Sequence, residues 1–191
     1  NQTGGLSLGA TTLTLSGGGN FQSVGLDLND EDSKLLLKSI TVDSVSTSED
    51  SLGLDVNETS AITSLLVGNI TPVAIASGRS LSGGITVTGG SLKLAEQGTL
   101  ASAISMSGGT LAAEKSLTVS GALTQSGNIT IDVADTKTLT FSTGEIKTES
   151  YQLTLAGAGT IAFPANASGI VVNDAAGLLK LEGTGTLGAA Q

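Results

Sequence analysis

The fold is decided by Ile104-Ser-Met-Ser-Gly-Gly-Thr-Leu-Ala-Ala-Glu-Lys-Ser-Leu-Thr-Val-Ser-Gly-Ala122, a run of short alternating segments separated by glycine and polar residues. Apolar side chains alternate with small or polar ones in each segment, which is the period-2 pattern of a β-strand with one buried face. Segments similar to the one at Ile104 begin upstream at Ile85 and downstream at Leu123, at equal distances along the chain. A constant offset of this kind predicts a repeat architecture.

Looser copies of the repeat extend across the rest of the chain. They begin at Ile146 and Ile170 downstream and at Leu65 and Ile40 upstream, with residues 13–20 as a weaker first copy. The chain therefore contains about eight units of 19 to 25 residues. We expect the turn after each leading segment to form a column of residue types that tolerate a sharp bend. This column comprises Asn20, Asn69, Gly90, Gly109 and Asn128.

Each unit contains further alternating pairs, such as Leu111/Ala113 and Leu117/Val119, so a unit holds roughly three short strands. Units of this kind predict an all-β fold, a right-handed parallel β-helix (β-solenoid) of about eight coils, right-handed being the usual hand of parallel connections. Coils stacked at about 4.8 Å would form a rod roughly 38 Å long. We predict one β-solenoid domain over residues 1–191, with irregular acidic coils and loop insertions in 1–60 and regular coils in 61–191.

An antiparallel sandwich or barrel is the alternative fold, since it also has many short strands and turns. The sequence favours the solenoid because a sandwich does not require a fixed offset between its strands. The chain also lacks Asn-Gly and Asp-Gly, the strongest signals of a tight hairpin. Helical pattern is nearly absent; residues 31–39 alone are predicted to form a helical turn or an inserted loop.

Composition limits the classes of partner. The 191 residues include 39% hydrophobic residues, which argues for a folded chain. A net charge of −9 argues against a nucleic-acid partner, because phosphate recognition needs a basic surface. The sequence contains no apolar run of about 18 residues, so no membrane-spanning segment is predicted.

Catalysis is not expected. Enzymes built on a parallel β-helix cluster acidic residues with Arg or Lys on one face, whereas this chain has no histidine and Arg79 is its one arginine. Asp132 and Asp135 flank a single turn, and nothing in the sequence marks either carboxyl for the shifted pKa that acid–base catalysis requires. We therefore predict a protein that is not an enzyme and that has no cofactor other than, at most, calcium.

A calcium candidate lies in the acidic first third of the chain. Five oxygen-bearing side chains fall within one short run, a density that suits a hard cation. The run lacks the glycine and the terminal glutamate of an EF-hand loop, and the alternative is a solvated acidic loop. The candidate ligands are Asp27, Asn29, Asp30, Glu31 and Asp32.

Asn-x-Ser/Thr motifs provide glycosylation candidates in a chain that is rich in Ser and Thr. Asn57 and Asn166 lie in polar loops and are the better candidates. Asn69 and Asn128 also belong to the predicted turn column, which explains them without a glycan.

Thr-x-Thr pairs such as Thr86/Thr88 and Thr138/Thr140 resemble the arrays on ice-binding solenoids. In the regular repeat, Thr86/Thr88 is followed by Ser105/Ser107, so the pairs do not recur in one column of successive coils. Because outward threonine is ordinary in strands, the sequence does not favour ice binding.

The unit 104–122 and its neighbours resemble the β-solenoid stalks and passenger domains of bacterial or archaeal surface proteins, namely filamentous-haemagglutinin-type adhesins and autotransporters. The resemblance covers most of residues 60–190. It implies an extracellular, cell-surface, fibrous and often glycosylated protein that serves adhesion or assembly. No catalytic or ligand residue transfers from it, because the family shares none.

Neither end of the repeat contains a polar cap. Solenoids need caps, since an open strand edge recruits another chain. Either the chain is a piece of a longer solenoid or its subunits associate through these ends. We expect self-association, by end-to-end stacking into a homopolymer or by strand exchange. The expected end residues are Leu6, Leu8, Leu13, Leu15, Leu179, Leu181 and Leu187.

Two functions follow from these features. The first is a structural subunit of an extracellular fibre, sheath or surface layer that associates through its ends. The alternative is an adhesin or passenger module that binds a host, surface or glycan ligand as a monomeric rod. The scarcity of aromatic residues for sugar stacking favours the structural function.

Overall fold

The chain forms a parallel β-solenoid in the computed structural model, which describes residues 6–143, 145–165 and 167–189, with the side chains of residues 22–24 and 189 excepted. Each strand pairs in parallel with the equivalent strand one coil away. This arrangement confirms the predicted solenoid and is incompatible with the antiparallel sandwich, whose neighbouring strands run in opposite directions. No α-helix occurs within the described residues.

The strands are short and evenly distributed. After β1 (Leu6–Leu8), the first four coils each contain one short and one longer strand: β2 (Thr12–Ser16), β3 (Asn20–Leu28), β4 (Lys34–Lys38), β5 (Thr41–Thr47), β6 (Gly53–Val56), β7 (Ser60–Val67), β8 (Ile70–Ile75) and β9 (Ser80–Val87). The next four coils contain three short strands each: β10 (Ser91–Leu94), β11 (Thr99–Leu100), β12 (Ala103–Met106), β13 (Thr110–Ala113), β14 (Leu117–Val119), β15 (Leu123–Gln125), β16 (Ile129–Val133), β17 (Thr138–Phe141), β18 (Glu145–Lys147), β19 (Gln152–Gly157), β20 (Thr160–Phe163) and β21 (Gly169–Val171). The last described strands are β22 (Leu178–Leu181) and β23 (Thr186–Ala189).

Three faces run along the rod. The first face is a nine-stranded sheet that contains β2, β4, β6, β8, β10, β13, β16, β19 and β22, so the chain makes about eight turns. The second face contains β11, β14, β17, β20 and β23, and the third contains β12, β15, β18 and β21. Between β3 and β9 these two faces share the long strands. They separate after β9, which pairs with both β11 and β12.

A bend in each long strand explains how two strands per coil become three. Asp43 and Ser44 are consecutive exposed residues in the middle of β5, and Thr63 and Ser64 occupy the same place in β7. Two outward residues in succession interrupt the alternation, so the strand turns a corner without ending. In later coils more residues lie in the bend, and two separate strands take the place of the one long strand.

The register confirms the repeat that decided the fold. Ile85, Ile104 and Leu123 are stacked on the third face, and Ile146 pairs with Ile170. Coil length is not constant, however. The coil from Ser91 to its partner Thr110 is short, whereas the coil from Gln152 to its partner Leu178 contains an additional loop.

The register of the first third differs from the sequence prediction. Leu65 pairs with Val45, not with Ile40, which precedes the strand. Asn20 pairs with Thr41 at the start of the second face, so it does not belong to the turn column of Asn69 and Gly90. Strand pairing continues through this acidic region, and its one irregularity between β3 and β5 lies between Phe21 and Gly25.

The helical turn predicted within residues 31–39 is wrong. Residues 34–38 form β4, in which Leu35 and Leu37 are fully buried and Leu36 points outward. Leu35 pairs with Leu13 on one side and with Leu54 on the other. An apolar run as short as Leu35-Leu36-Leu37 has no clear period, and these flanking pairs select the strand.

The core is a narrow stack of aliphatic columns. On the first face, Leu92, Leu111, Ile131 and Leu155 are stacked in register and buried. Larger rings occur where the coils lengthen: Phe141 and Phe163 stack with ring centroids 5.7 Å apart. This distribution explains why so few aromatic residues fill so long an interior.

Candidate functional site

The open ends of the rod contain most of the predicted assembly residues. At the carboxyl end, Leu181 and Leu187 occupy inward-facing positions but are 68% and 49% exposed, because no further coil covers them within the described residues. With Leu155 and Ile161 they line a cavity of about 290 Å³. Leu179 is half-buried against the core.

The amino end is better covered. Leu6 is 45% exposed, while Leu8 is buried at 4%. Leu13 and Leu15 are partly buried and pack against the core beneath β4. Of the residues predicted for this end, Leu6 therefore has the most exposed side chain.

Strand edges are open at both ends as well. Within the described residues, β22 pairs only with β19 and β23 only with β20, while β1 pairs only with β3 and β2 only with β4. An unpaired parallel edge presents backbone donors and acceptors to any strand that approaches. Each end therefore combines hydrogen-bonding edges with exposed leucine.

The predicted calcium ligands are dispersed over a strand and a turn. Asp27 accepts hydrogen bonds from the hydroxyls of Ser46 (2.9 Å) and Ser48 (2.8 Å) on the third face. Asp30 instead accepts the backbone N–H of Asp32 at 3.0 Å in the turn before β4. Asn29 and Glu31 are exposed. Among the described residues, no three acidic side chains lie close enough together to hold a metal ion.

The sequon asparagines lie in different surroundings. Asn57 is exposed in the turn that follows β6. Asn69 donates its amide N–H to the backbone oxygen of Ser48 at 2.6 Å, and Asn128 accepts the backbone N–H of Gln152 at 2.9 Å. The last two side chains therefore already join neighbouring coils. Asn166 lies outside the described residues.

A break in the third face forms a cleft that the sequence prediction missed. β15 pairs with β12 and β18 pairs with β21, but β15 and β18 form no ladder with each other. The cleft between them has a volume of about 280 Å³. Its signal in the sequence is the offset from Leu123 to Ile146, which is longer than the offset from Ile104 to Leu123.

Polar groups from both sides line this cleft. Gln125 is 6% exposed; its amide nitrogen donates to the backbone oxygen of Thr148 at 2.7 Å, while its buried side-chain oxygen has no hydrogen-bond partner within the described residues. On the other side, Lys147 forms an ion pair of 3.0 Å with Glu145. The hydrogen bond and charge of Glu145, with a contribution from the charge of Glu149, raise the pKa of Lys147 above its ordinary value.

Comparison with protein-family models, with curated proteins and with solved structures finds no match to this chain. The structure itself defines the class of the chain as a parallel β-solenoid repeat protein. No helix among the described residues is long and apolar enough to span a membrane.

Proposed function

We propose that the chain is a structural subunit of an extracellular fibre, sheath or surface layer, and that its subunits associate end to end. The observation that carries this proposal is the carboxyl end, where Leu181 and Leu187 stand exposed in core positions beside unpaired strand edges. A second copy that supplied the next coil would bury both side chains and pair the edges. The surface-protein resemblance supports the extracellular location.

Energetics favour association at this end. Burying one leucine side chain is worth about 1.5–3 kcal/mol, and each new backbone pairing adds about 0.5–1.5 kcal/mol. The sides of the rod offer less apolar surface for association, because their exposed leucines are isolated. Leu66, for example, projects from β7 in the middle of the rod and is 43% exposed.

Analytical ultracentrifugation and negative-stain electron microscopy over a range of concentrations test the proposal. We expect filaments of uniform width that lengthen with concentration, and we expect Leu181→Lys and Leu187→Lys to dissociate them, because each places an ammonium in the contact. Leu66→Lys is the matched control and should leave the filaments intact. A wild-type chain that stays monomeric at every concentration would overturn the proposal.

An adhesive rod is the second candidate function, and the cleft beside Gln125 favours it. Thr124, Glu145 and Lys147 line this cleft and offer the hydroxyl and charged groups that bind a hydroxylated or amino ligand. Glycan-array binding by a monomeric wild-type chain, lost on Gln125→Leu and retained in Leu181→Lys, would establish this function in place of the structural one.

A further inference from the structure

The third face is interrupted at one place among the described strands, between β15 and β18, which form no ladder with each other. The first face continues across the same place, from β13 through β16 to β19. The second face continues as well, from β14 through β17 to β20. Two of the three faces therefore join the coils here by backbone ladders, and the third face does not.

One buried hydrogen bond takes the place of the missing ladder. The side-chain amide of Gln125 donates to the backbone oxygen of Thr148 at 2.7 Å, across the break. At the surface corner before β18, the Thr143 hydroxyl donates to the backbone oxygen of Gly121 at 3.4 Å, which is a longer and weaker contact. A parallel ladder would instead supply evenly spaced backbone bonds along the whole strand. The third face is therefore held together at the break mainly by the Gln125 side chain.

The interior at the break is polar, unlike the interior of the coils that precede it. A fully buried apolar column leads to Gln125 on this face, and its last members are Val67, Val87 and Met106. The side-chain oxygen of Gln125 is buried without a hydrogen-bond partner within the described residues, and Thr148 across the break is fully buried. Water that enters between the preceding coils must cover hydrocarbon, whereas water that enters the break gains a hydrogen bond to the amide oxygen. Opening is therefore less costly at the break than between those coils.

The entrance to the break is hydrated from outside. The cleft of about 280 Å³ separates the two strands, and the exposed side chains of Glu145, Lys147 and Glu149 line it. Charged groups retain their water because burying them without it is costly. Water is therefore present at the edge of the break and needs no path through an apolar surface to reach Gln125.

We propose that the rod bends at this break. The first and second faces act as the hinge, the third face opens between β15 and β18, and the Gln125 amide is the latch that holds it closed. Adjacent strands tolerate a range of relative rotation, so the two continuous sheets can bend without losing their ladders. This motion belongs to a single copy of the chain and goes beyond the end-to-end association proposed above.

Distances between pairs of nitroxide spin labels, measured by double electron–electron resonance, test the bend directly, and the chain has no native cysteine to interfere with labelling. The test pair is Thr86→Cys with Val171→Cys, two outward positions of the third face on opposite sides of the break. The matched control pair is Ser46→Cys with Thr124→Cys, which spans the same number of coils, roughly 19 Å, without crossing the break. Labelled chain is diluted into unlabelled chain, so that only distances within one copy are measured.

We expect a narrow distance distribution for the control pair and a distribution that extends toward longer distances for the test pair. Two substitutions should move the test distribution in opposite directions. Gln125→Ala removes the latch and should shift it to longer distances, whereas Gln125→Leu restores hydrocarbon to the column and should narrow it. Met106→Ala truncates the neighbouring member of the same column, where the ladder is intact, and should leave the distribution unchanged.

Circular dichroism establishes that the variants retain their strands, and the comparison of the two label pairs without further substitution does not depend on them. Equally narrow distributions for both pairs would overturn the proposal, because the rod would then be rigid through the break. Equal broadening of both pairs would overturn it too, since the flexibility would not belong to the break. A shift in Met106→Ala as large as that in Gln125→Ala would overturn the role of Gln125 as the latch.

Discussion

Individual glycines set the limits on how closely coils can stack. Gly53 begins β6 with a φ of +81°, and a Cβ there would lie 1.9 Å from the backbone oxygen of Pro72 in the next coil. Gly78 has a similar φ of +73°, yet a Cβ there would meet nothing within 4 Å. A substitution at Gly53 therefore meets both a steric clash and backbone strain, whereas one at Gly78 meets backbone strain alone.

We predict that Gly53→Ala destabilises the solenoid by at least about 2 kcal/mol, because the left-handed backbone penalty adds to a clash that only a shift of the coil can relieve. Gly78→Ala should cost about 1 kcal/mol, the strain alone. Urea unfolding of both variants measures the difference. Equal losses of unfolding free energy in the two variants would show that the coils can move apart at Gly53 without a cost in stability.

A single carboxylate should make one corner of the rod sensitive to acid. Asp174 accepts the backbone N–H of Ala176 at 2.8 Å, and this bond, with one from Ser150, lowers the pKa of Asp174 below its ordinary value. Its stabilising contribution is complete above that ordinary value and is lost as pH falls through the lowered one. The corner between β21 and β22 should therefore loosen only in strong acid.

Amide exchange of Ala176, followed by NMR against pH, measures this effect. In the wild-type chain we expect protection to decline as Asp174 becomes protonated. Asp174→Asn retains an acceptor oxygen but does not titrate, so its Ala176 protection should be independent of pH in that range. The same decline in the Asn variant would assign the acid sensitivity to other carboxyl groups.

At the scale of elements, the sequence predicts the strands well, but it predicts their register correctly only in the part of the chain where successive coils are equal in length. Where successive coils are equal in length, Ile85, Ile104 and Leu123 were aligned by spacing alone. In the first third, β5 contains two inward segments, around Val42 and Val45, separated by the bend. Spacing could not decide which segment pairs with β7, because the bend adds an outward residue that no local propensity marks. Tertiary pairing determined the register there.

The cleft between β15 and β18 is a second feature that the sequence alone could not predict. A longer offset after Leu123 signals inserted residues, but it does not reveal whether they form a loop or separate two strands. The inward positions of Leu181 and Leu187, in contrast, follow from the sequence, because the alternating pattern continues through the last described strands.

The break beside the cleft should be visible in backbone dynamics. Ser126 donates its N–H to Met106 in the preceding coil, so by alternation the N–H groups of Leu123 and Gln125 point toward β18, with which β15 forms no ladder. We predict faster hydrogen exchange at these two amides than at Ile85 and Val87, which occupy the same columns and face the paired strand β12. NMR exchange rates measure this, and equal protection would mean that the break is closed in solution.

At the scale of the whole molecule, net charge opposes assembly. Each copy carries a charge of −9, and residues 1–60, with nine acids against Lys34 and Lys38, account for −7 of it. Stacking would place this acidic third close to a second copy. The repulsion is long-ranged at low salt, where the Debye length is about 30 Å at 0.01 M, and is largely screened at 0.15 M, where it is about 8 Å.

We therefore predict that raising sodium chloride from about 0.01 M to about 0.15 M promotes end-to-end association, because the repulsion is screened over this range. Sedimentation velocity at the two salt concentrations measures the effect. Leu181→Lys should remain dissociated at both, because screening does not restore its lost apolar contact. Calcium and magnesium at equal ionic strength should act alike unless Asp27 to Asp32 form a specific site, so a larger effect of calcium would support that candidate. Dissociation by added salt would mean that ion pairs, rather than leucines and strand edges, hold the ends together.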